Sequence, residues 1–169
     1  MPKYLTKKEA FLKCEKEGKF IIIEDIDTEK IKSTLRISEG DIESADYVKK
    51  NLSKESNQWN SVYKLYYDAL HELTESFLKF ERIKIDNHQC LFAYLCEKHP
   101  ELDFDWDFFE KVRTKRNGIN YYGIPITSQD WKEVELGDIC DIKKGTSITK
   151  TTITEGDVPV IAGGQHPAY

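Results

Sequence analysis

The chain has 169 residues, of which 39% are hydrophobic, 33% are charged and 12% are aromatic. This balance excludes an intrinsically disordered chain, which would combine few aromatic residues with a high net charge. The formal net charge is −5, so a surface that is basic all round, as in a general polyanion binder, is also excluded. No apolar run approaches the roughly 18 residues of a membrane-spanning helix. We therefore expect a cytoplasmic protein without a membrane partner.

The four cysteines, Cys14, Cys90, Cys96 and Cys140, form no Cys-x-x-Cys pair and have no histidine at a zinc-site spacing. We expect buried, reduced thiols, which behave as small hydrophobic side chains. The sequence accordingly predicts no metal and no cofactor of its own.

The chain changes character once along its length. Residues 1–124 have helical patterning, and residues 131–169 consist of short β-prone runs broken by Gly and Pro. Between them, Pro125 ends any preceding helix, and the polar residues after it are typical of a loop. The sequence therefore predicts a helical domain over 1–124, a linker over 125–130 and a second segment over 131–169.

The first predicted elements are a short helix and a long one. Residues 6–17 favour a helix that Gly18 ends, and residues 19–24 fit either a strand or a buried connection. Asp27 offers an N-cap to a long helix, and Gly40 is a weak point within it. Its apolar face follows three- and four-residue spacing: Ile31, Leu35, Ser38, Ile42, Ala45, Val48 and Leu52.

A second long helix begins after Ser56-Asn57 and carries a wide aromatic stripe, so we expect it at the centre of the fold. Its tyrosines, Tyr63, Tyr66 and Tyr67, could stack nucleic-acid bases, but packing in the core or in a dimer is the simpler interpretation. Two more helices are predicted, starting near Asp86-Asn87 and near residues 103–105.

Short connections between long helices imply antiparallel neighbours. The predicted fold is therefore mainly α, an up-and-down antiparallel bundle of four or five helices, followed by a short β-rich and incomplete recognition segment. The alternating acids Asp103, Asp105 and Asp107 lack the Gly and the closing Glu of a calcium loop, so we interpret them as favourable charge at a helix N-terminus.

Four runs within residues 28–124 resemble the HEPN family: ESAD at 43–46, WNSVYKLYYDAL at 59–70, DNH at 86–88 and RTKRNGINYYG at 113–123. The resemblance implies a helical bundle that is usually dimeric. Many members of the family bind RNA or nucleotides, and many are metal-independent endoribonucleases of toxin or defence systems. His88 matches a histidine that the family often has at a helix start, and we interpret it as a structural or capping residue.

The catalytic signature of that family is an Arg, a polar residue, and a His four to six positions after the Arg. Arg116 and Asn117 supply the first half, whereas Tyr121 stands where the His is expected. A phenol with an unperturbed pKa of about 10 is a poor base near neutral pH, where imidazole works well. We therefore expect a bundle that binds nucleic acid without cleaving it. A histidine beside Arg116 in an open groove would favour the ribonuclease instead.

The basic residues of the last predicted helix have three open interpretations. Lys111, Arg113, Lys115 and Arg116 could form a solvated face, contact nucleic acid or take part in cleavage. The candidate nucleic-acid-binding residues are Arg113, Lys115, Arg116, Lys143 and Lys144.

Residues 131–169 resemble the start of a target-recognition domain in the specificity subunit of type I restriction–modification enzymes. The matching pattern is Trp131, LGDI at 136–139, Lys144-Gly145 and GDVPVIAGG at 156–164. The resemblance implies sequence-specific DNA binding and assembly with a methyltransferase subunit that uses S-adenosylmethionine, in a subunit that is not itself catalytic. Most of such a domain would follow Tyr169, so we expect a truncated frame, a fragment or the remnant of a fusion.

Three functions follow from the sequence. The first is a non-catalytic nucleic-acid-binding accessory protein of a restriction–modification or related defence system. The second is a metal-independent endoribonuclease or toxin, and the third is a scaffold that only dimerises. A homodimer through the aromatic helix is expected in each case.

Overall fold

The computed structural model describes residues 4–128 and 130. The chain divides into two units, Met1–Val134 and Glu135–Tyr169, and the described residues all belong to the first. Its elements follow in chain order: α1 (Lys7–Lys16), β1 (Ile21–Ile22), α2 (Thr28–Lys50), α3 (Trp59–Phe80), β2 (Ile83–Lys84), α4 (His88–Lys98), a 3₁₀ helix (Pro100–Leu102) and α5 (Trp106–Tyr122). The predicted mainly helical class is confirmed for this part of the chain.

Side-chain caps explain where most helices begin. Asp27, Asn87 and Asp105 each accept a hydrogen bond from a backbone N–H in the first turn of α2, α4 and α5. These three predicted starts are confirmed. The start of α3 is later than predicted, because the Ser56 hydroxyl accepts from the Gln58 N–H at 3.2 Å and forms a turn before the helix.

The two longest helices pack against each other in antiparallel directions. Asp46, near the end of α2, is hydrogen-bonded to the hydroxyl of Tyr66, near the start of α3. The predicted stripe on α2 faces inward, since Ile31, Ser38 and Ala45 are all buried. Their seven-residue spacing keeps one face of the helix toward its neighbour.

The aromatic stripe of α3 forms part of the core. Tyr63 and Tyr67 are buried, and the Tyr63 hydroxyl donates to the Val112 carbonyl of α5 at 3.0 Å. Core packing of these two side chains is therefore confirmed, and their rings are closed to stacking with bases. Dimerisation through α3 stays a prediction.

Residues 19–24 fitted either a strand or a buried connection, and they contain β1. This strand pairs antiparallel with β2, with Ile21 opposite Lys84 and Ile22 opposite Ile83. The strand is short, and both its side chains are exposed. Its hydrogen bonds tie the segment after α1 to the segment before α4.

The expectation of reduced thiols is wrong for two of the four cysteines. Cys14 on α1 and Cys90 on α4 form a disulfide across 76 residues of sequence. Cys96 is free and buried, and burial raises the pKa of its thiol to about 12. Cys140 lies outside the described residues. The sequence could not reveal the pair because its spacing resembles no known framework and because only helix packing brings α1 beside α4.

The segment predicted as a linker contributes to the first unit. Ile126 is buried in the core, and its N–H donates to the Asn60 side chain at 2.7 Å. The exact domain boundary stays a prediction. In the described part of the chain, no helix is both long and apolar enough to cross a membrane. The cytoplasmic location also remains a prediction.

Candidate nucleic-acid interface

The residues of the HEPN-like signature lie around one open pocket of about 250 Å³. One side is the start of α4 and the residues before it. The other is a face of α5. The lining comprises Asp86, Asn87, His88, Gln89, Arg113, Arg116, Asn117 and Tyr121. The structure thus joins two runs of sequence that the resemblance placed separately.

Helical spacing aligns the α5 residues. Arg113, Asn117 and Tyr121 are four residues apart, so their side chains lie along one face, and Arg116 lies three residues after Arg113 on the same side. Phe109, four residues before Arg113, and Trp106, three residues before Phe109, continue the same face into the core. This side of α5 is therefore apolar in the first half of the helix, and from Arg113 onward its polar residues line the pocket.

Arg113 is held in place by a buried carboxylate. Its Nε and Nη2 donate to the two oxygens of Glu110 at 2.7 and 2.9 Å, and Glu110 is only 3% exposed. The Gln89 amide donates to the same carboxylate at 2.9 Å and links α4 to α5. These hydrogen bonds raise the pKa of Arg113 and balance its charge. Arg113 is therefore held in position at the side of the pocket, and Glu110 balances its positive charge.

Arg116 retains the capacity to bind an anion. Its guanidinium lies over the Tyr67 ring, 5.3 Å from the centroid, and its nearest carboxylate oxygen, on Asp68, is 3.9 Å away. Its Nε is buried and has no hydrogen-bond partner among the described residues. Burial raises the pKa of Asp68, and Arg116 opposes that rise. A phosphate in the pocket would give the guanidinium a closer anionic partner than this long ion pair does.

His88 stands in the same pocket as Arg116. Its Nδ1 is 2.9 Å from the Tyr67 hydroxyl, and its ring stacks on His71 with centroids 4.0 Å apart. Burial lowers the pKa of His88, and the positive charge of Arg116 lowers it further. In the described part of the chain, no hydrogen bond joins Arg116 to a histidine. His88 is therefore a neutral imidazole near an arginine.

The start of α4 adds backbone donors. Asn87 caps the helix by accepting from the Cys90 N–H at 3.0 Å. The first-turn N–H groups of His88 and Gln89 have no intrahelical acceptor. The positive end of the helix dipole therefore adjoins the arginine-bearing face of α5. Together these groups suit a phosphate better than a cation.

Lys115 and His99 do not line the pocket. Lys115 bonds to the Asp130 carboxylate at 3.3 Å and does not line the pocket. Lys143 and Lys144 lie outside the described residues. His99 is held between the carboxylates of Glu81 and Glu101. The sequence predicted only a structural role for His88. Its position in the DNH run, just after a break between two helices, was the one feature that could have indicated its place in the pocket.

Residues 128–167 match the family model described as "Type I restriction modification DNA specificity domain". The match confirms the predicted resemblance of the C-terminal segment and indicates a role related to type I restriction–modification specificity. No curated protein and no solved structure matches the chain. The HEPN resemblance of residues 28–124 thus stays a prediction.

Proposed function

We propose that the chain is a non-catalytic nucleic-acid-binding accessory protein of a type I restriction–modification system. A HEPN-like helical module precedes a DNA specificity segment in this proposal. The observation that carries it is the family match over residues 128–167. A specificity segment binds duplex DNA and works beside a methyltransferase subunit, so both are the proposed partners.

The helical module supplies a second contact with nucleic acid. Arg116 has an unpartnered buried Nε, and it shares a pocket with the start of α4. A phosphate there would receive charge-assisted hydrogen bonds of the kind that fix nucleic-acid backbones in place. Binding of this type carries no sequence information, and the sequence preference would come from the C-terminal segment.

Replacement of Lys143 and Lys144 by Ala is expected to weaken duplex DNA binding by the full chain. Each phosphate contact contributes about −0.9 to the slope of log K against log salt, so the double variant should have a slope shallower by about 2. Fluorescence anisotropy over a salt series measures this, with Lys30→Ala/Lys32→Ala on α2 as the control. Co-elution with a modification subunit from the same genome is the companion assay. An unchanged slope and separate elution would contradict the proposal.

A second function, metal-independent RNA cleavage, is favoured by one specific observation. His88 lines the pocket with Arg116, and a neutral imidazole can take a proton from a ribose hydroxyl. In this alternative His88, from another helix, replaces the base that Tyr121 cannot supply.

Labelled RNA incubated with the full chain and a chelator separates the two functions. If His88 is the base, RNA is cut without metal, and His88→Ala lowers the rate by about 100-fold or more. His99→Gln, whose side chain lies outside the pocket, should cut normally. Intact RNA in every reaction would contradict this alternative and leave the non-catalytic protein. Failure to bind any nucleic acid would leave only the scaffold.

A further inference from the structure

Tyr121 is an exposed aromatic side chain at the edge of the pocket. It lies in the last turn of α5 and is 70% exposed. It lines the pocket together with Arg116 and Asn117. Five residues of helix separate it from Arg116, which corresponds to about 7 Å along the helix axis.

Packing does not account for this ring. Tyr121 makes no hydrogen bond, ion pair or aromatic contact with any described residue, whereas Phe109 and Val112 of the same helix are buried. An aromatic ring left in water in the same pocket as an arginine guanidinium is a combination that suits a nucleotide. The guanidinium would bind the phosphate, and the ring would offer a face to the base.

We infer that Tyr121 is a base-stacking residue that makes this pocket selective for single-stranded nucleic acid. One phosphate binds at Arg116, and an adjacent base stacks on the Tyr121 ring. A paired duplex already stacks both faces of its bases on neighbouring bases, so it cannot use the ring. This inference rests on the proposed function, because it requires that the helical module bind nucleic acid. RNA and DNA share the necessary chemistry, because phosphate binding and base stacking do not involve the sugar.

Neighbouring Tyr122 provides a matched control. It is 76% exposed on the same turn of α5 but does not line the pocket. Tyr121→Ala and Tyr122→Ala therefore each remove one exposed tyrosine ring, at adjacent positions. Neither substitution should disturb the core. Tyr121→Phe keeps the ring and removes the hydroxyl.

The test is fluorescence anisotropy of the full chain with labelled 12-nucleotide single strands of RNA and DNA, the matching duplexes and an abasic strand with the same phosphates. Tyr121→Ala should weaken single-strand binding roughly 10-fold, since stacking of one base on one aromatic ring has an effect of that size. Tyr121→Phe and Tyr122→Ala should bind like the parent chain. Duplex and abasic binding should be the same with and without the Tyr121 ring.

Three results would overturn the inference, each in a recognisable way. Equal single-strand binding by Tyr121→Ala and Tyr122→Ala would refute stacking while leaving the proposed function intact. Equal loss in Tyr121→Phe and Tyr121→Ala would assign the effect to the hydroxyl and refute stacking too. If the parent chain binds none of the strands or duplexes, the proposed nucleic-acid binding fails together with the inference. A preference for RNA or for DNA that depends on the Tyr121 ring supports it equally.

Discussion

Reduction of the Cys14–Cys90 disulfide is expected to lower the free energy of unfolding by about 4 kcal/mol. The disulfide closes a loop across 76 residues. In the chain-entropy model, a closed loop of that length restricts the unfolded chain and so stabilises the folded one. Both sulfurs are buried, so the bond stabilises the packing of α1 on α4 and is shielded from exchange.

Urea unfolding with and without a reductant measures the effect, after thiol counting and peptide mapping establish the pairing. The double variant Cys14→Ala/Cys90→Ala is the control, because the reductant should leave its unfolding midpoint unchanged. A parent chain whose midpoint does not move on full reduction would show that the bond contributes nothing to stability. A peptide map without the linked pair would show that the disulfide does not form.

Acidification from pH 7 to about 4 is expected to reduce the free energy of unfolding by about 3 kcal/mol through His71 alone. Burial, together with the charge that the adjacent His88 can carry, lowers the pKa of this imidazole from 6.5 to about 4. Between these two pH values the unfolded chain binds a proton that the folded chain does not. The contribution of His71 to the free energy of unfolding is therefore fully present above pH 6.5 and is lost as the pH falls toward 4. The lowered pKa of His88 acts in the same direction.

His71→Phe isolates this contribution. Phenylalanine keeps a flat ring against His88 and cannot be protonated, and the His71 Nε2 that it removes is buried without a hydrogen-bond partner. Urea unfolding at several pH values should show a shallower acid loss for the variant than for the parent. The raised pKa values of Asp68 and Glu72 oppose the loss in both proteins, so they cancel in the comparison. Parallel curves would contradict the assignment to His71.

Local chemistry made much of the fold predictable. Asp27, Asn87 and Asp105 were identified as helix starts because a short polar side chain can satisfy an unpaired backbone N–H in the next turn. The inward stripe of α2 follows from spacing alone. The predicted start of α3 at Ser56-Asn57 is too early, because the Ser56 hydroxyl accepts a hydrogen bond within a turn just before the helix. Each of these features depends on residues within a few positions of one another.

The candidate site likewise has some features that the sequence predicts and others that only helix packing decides. The face of α5 that carries Arg113, Arg116, Asn117 and Tyr121 could be read from the sequence, because residues three and four apart share a helical face. The sequence could not show whether Arg113 is free. Glu110 balances the charge of Arg113 only when its carboxylate is buried against the guanidinium. His88 lies 28 residues before Arg116 in the numbering. Helix packing decides that the two line one pocket.

The amino-acid order by itself determined the helical character of the chain, most helix starts, the signature residues of α5 and the likeness of residues 131–169 to a DNA specificity segment. Tertiary structure alone decided the Cys14–Cys90 bond, the packing of Tyr63 and Tyr67 against α5, and the meeting of His88 with Arg116. The physical reason is the range of the forces involved. Capping and periodicity act within one or two turns, whereas contacts between distant residues depend on how whole helices pack to bury their apolar faces.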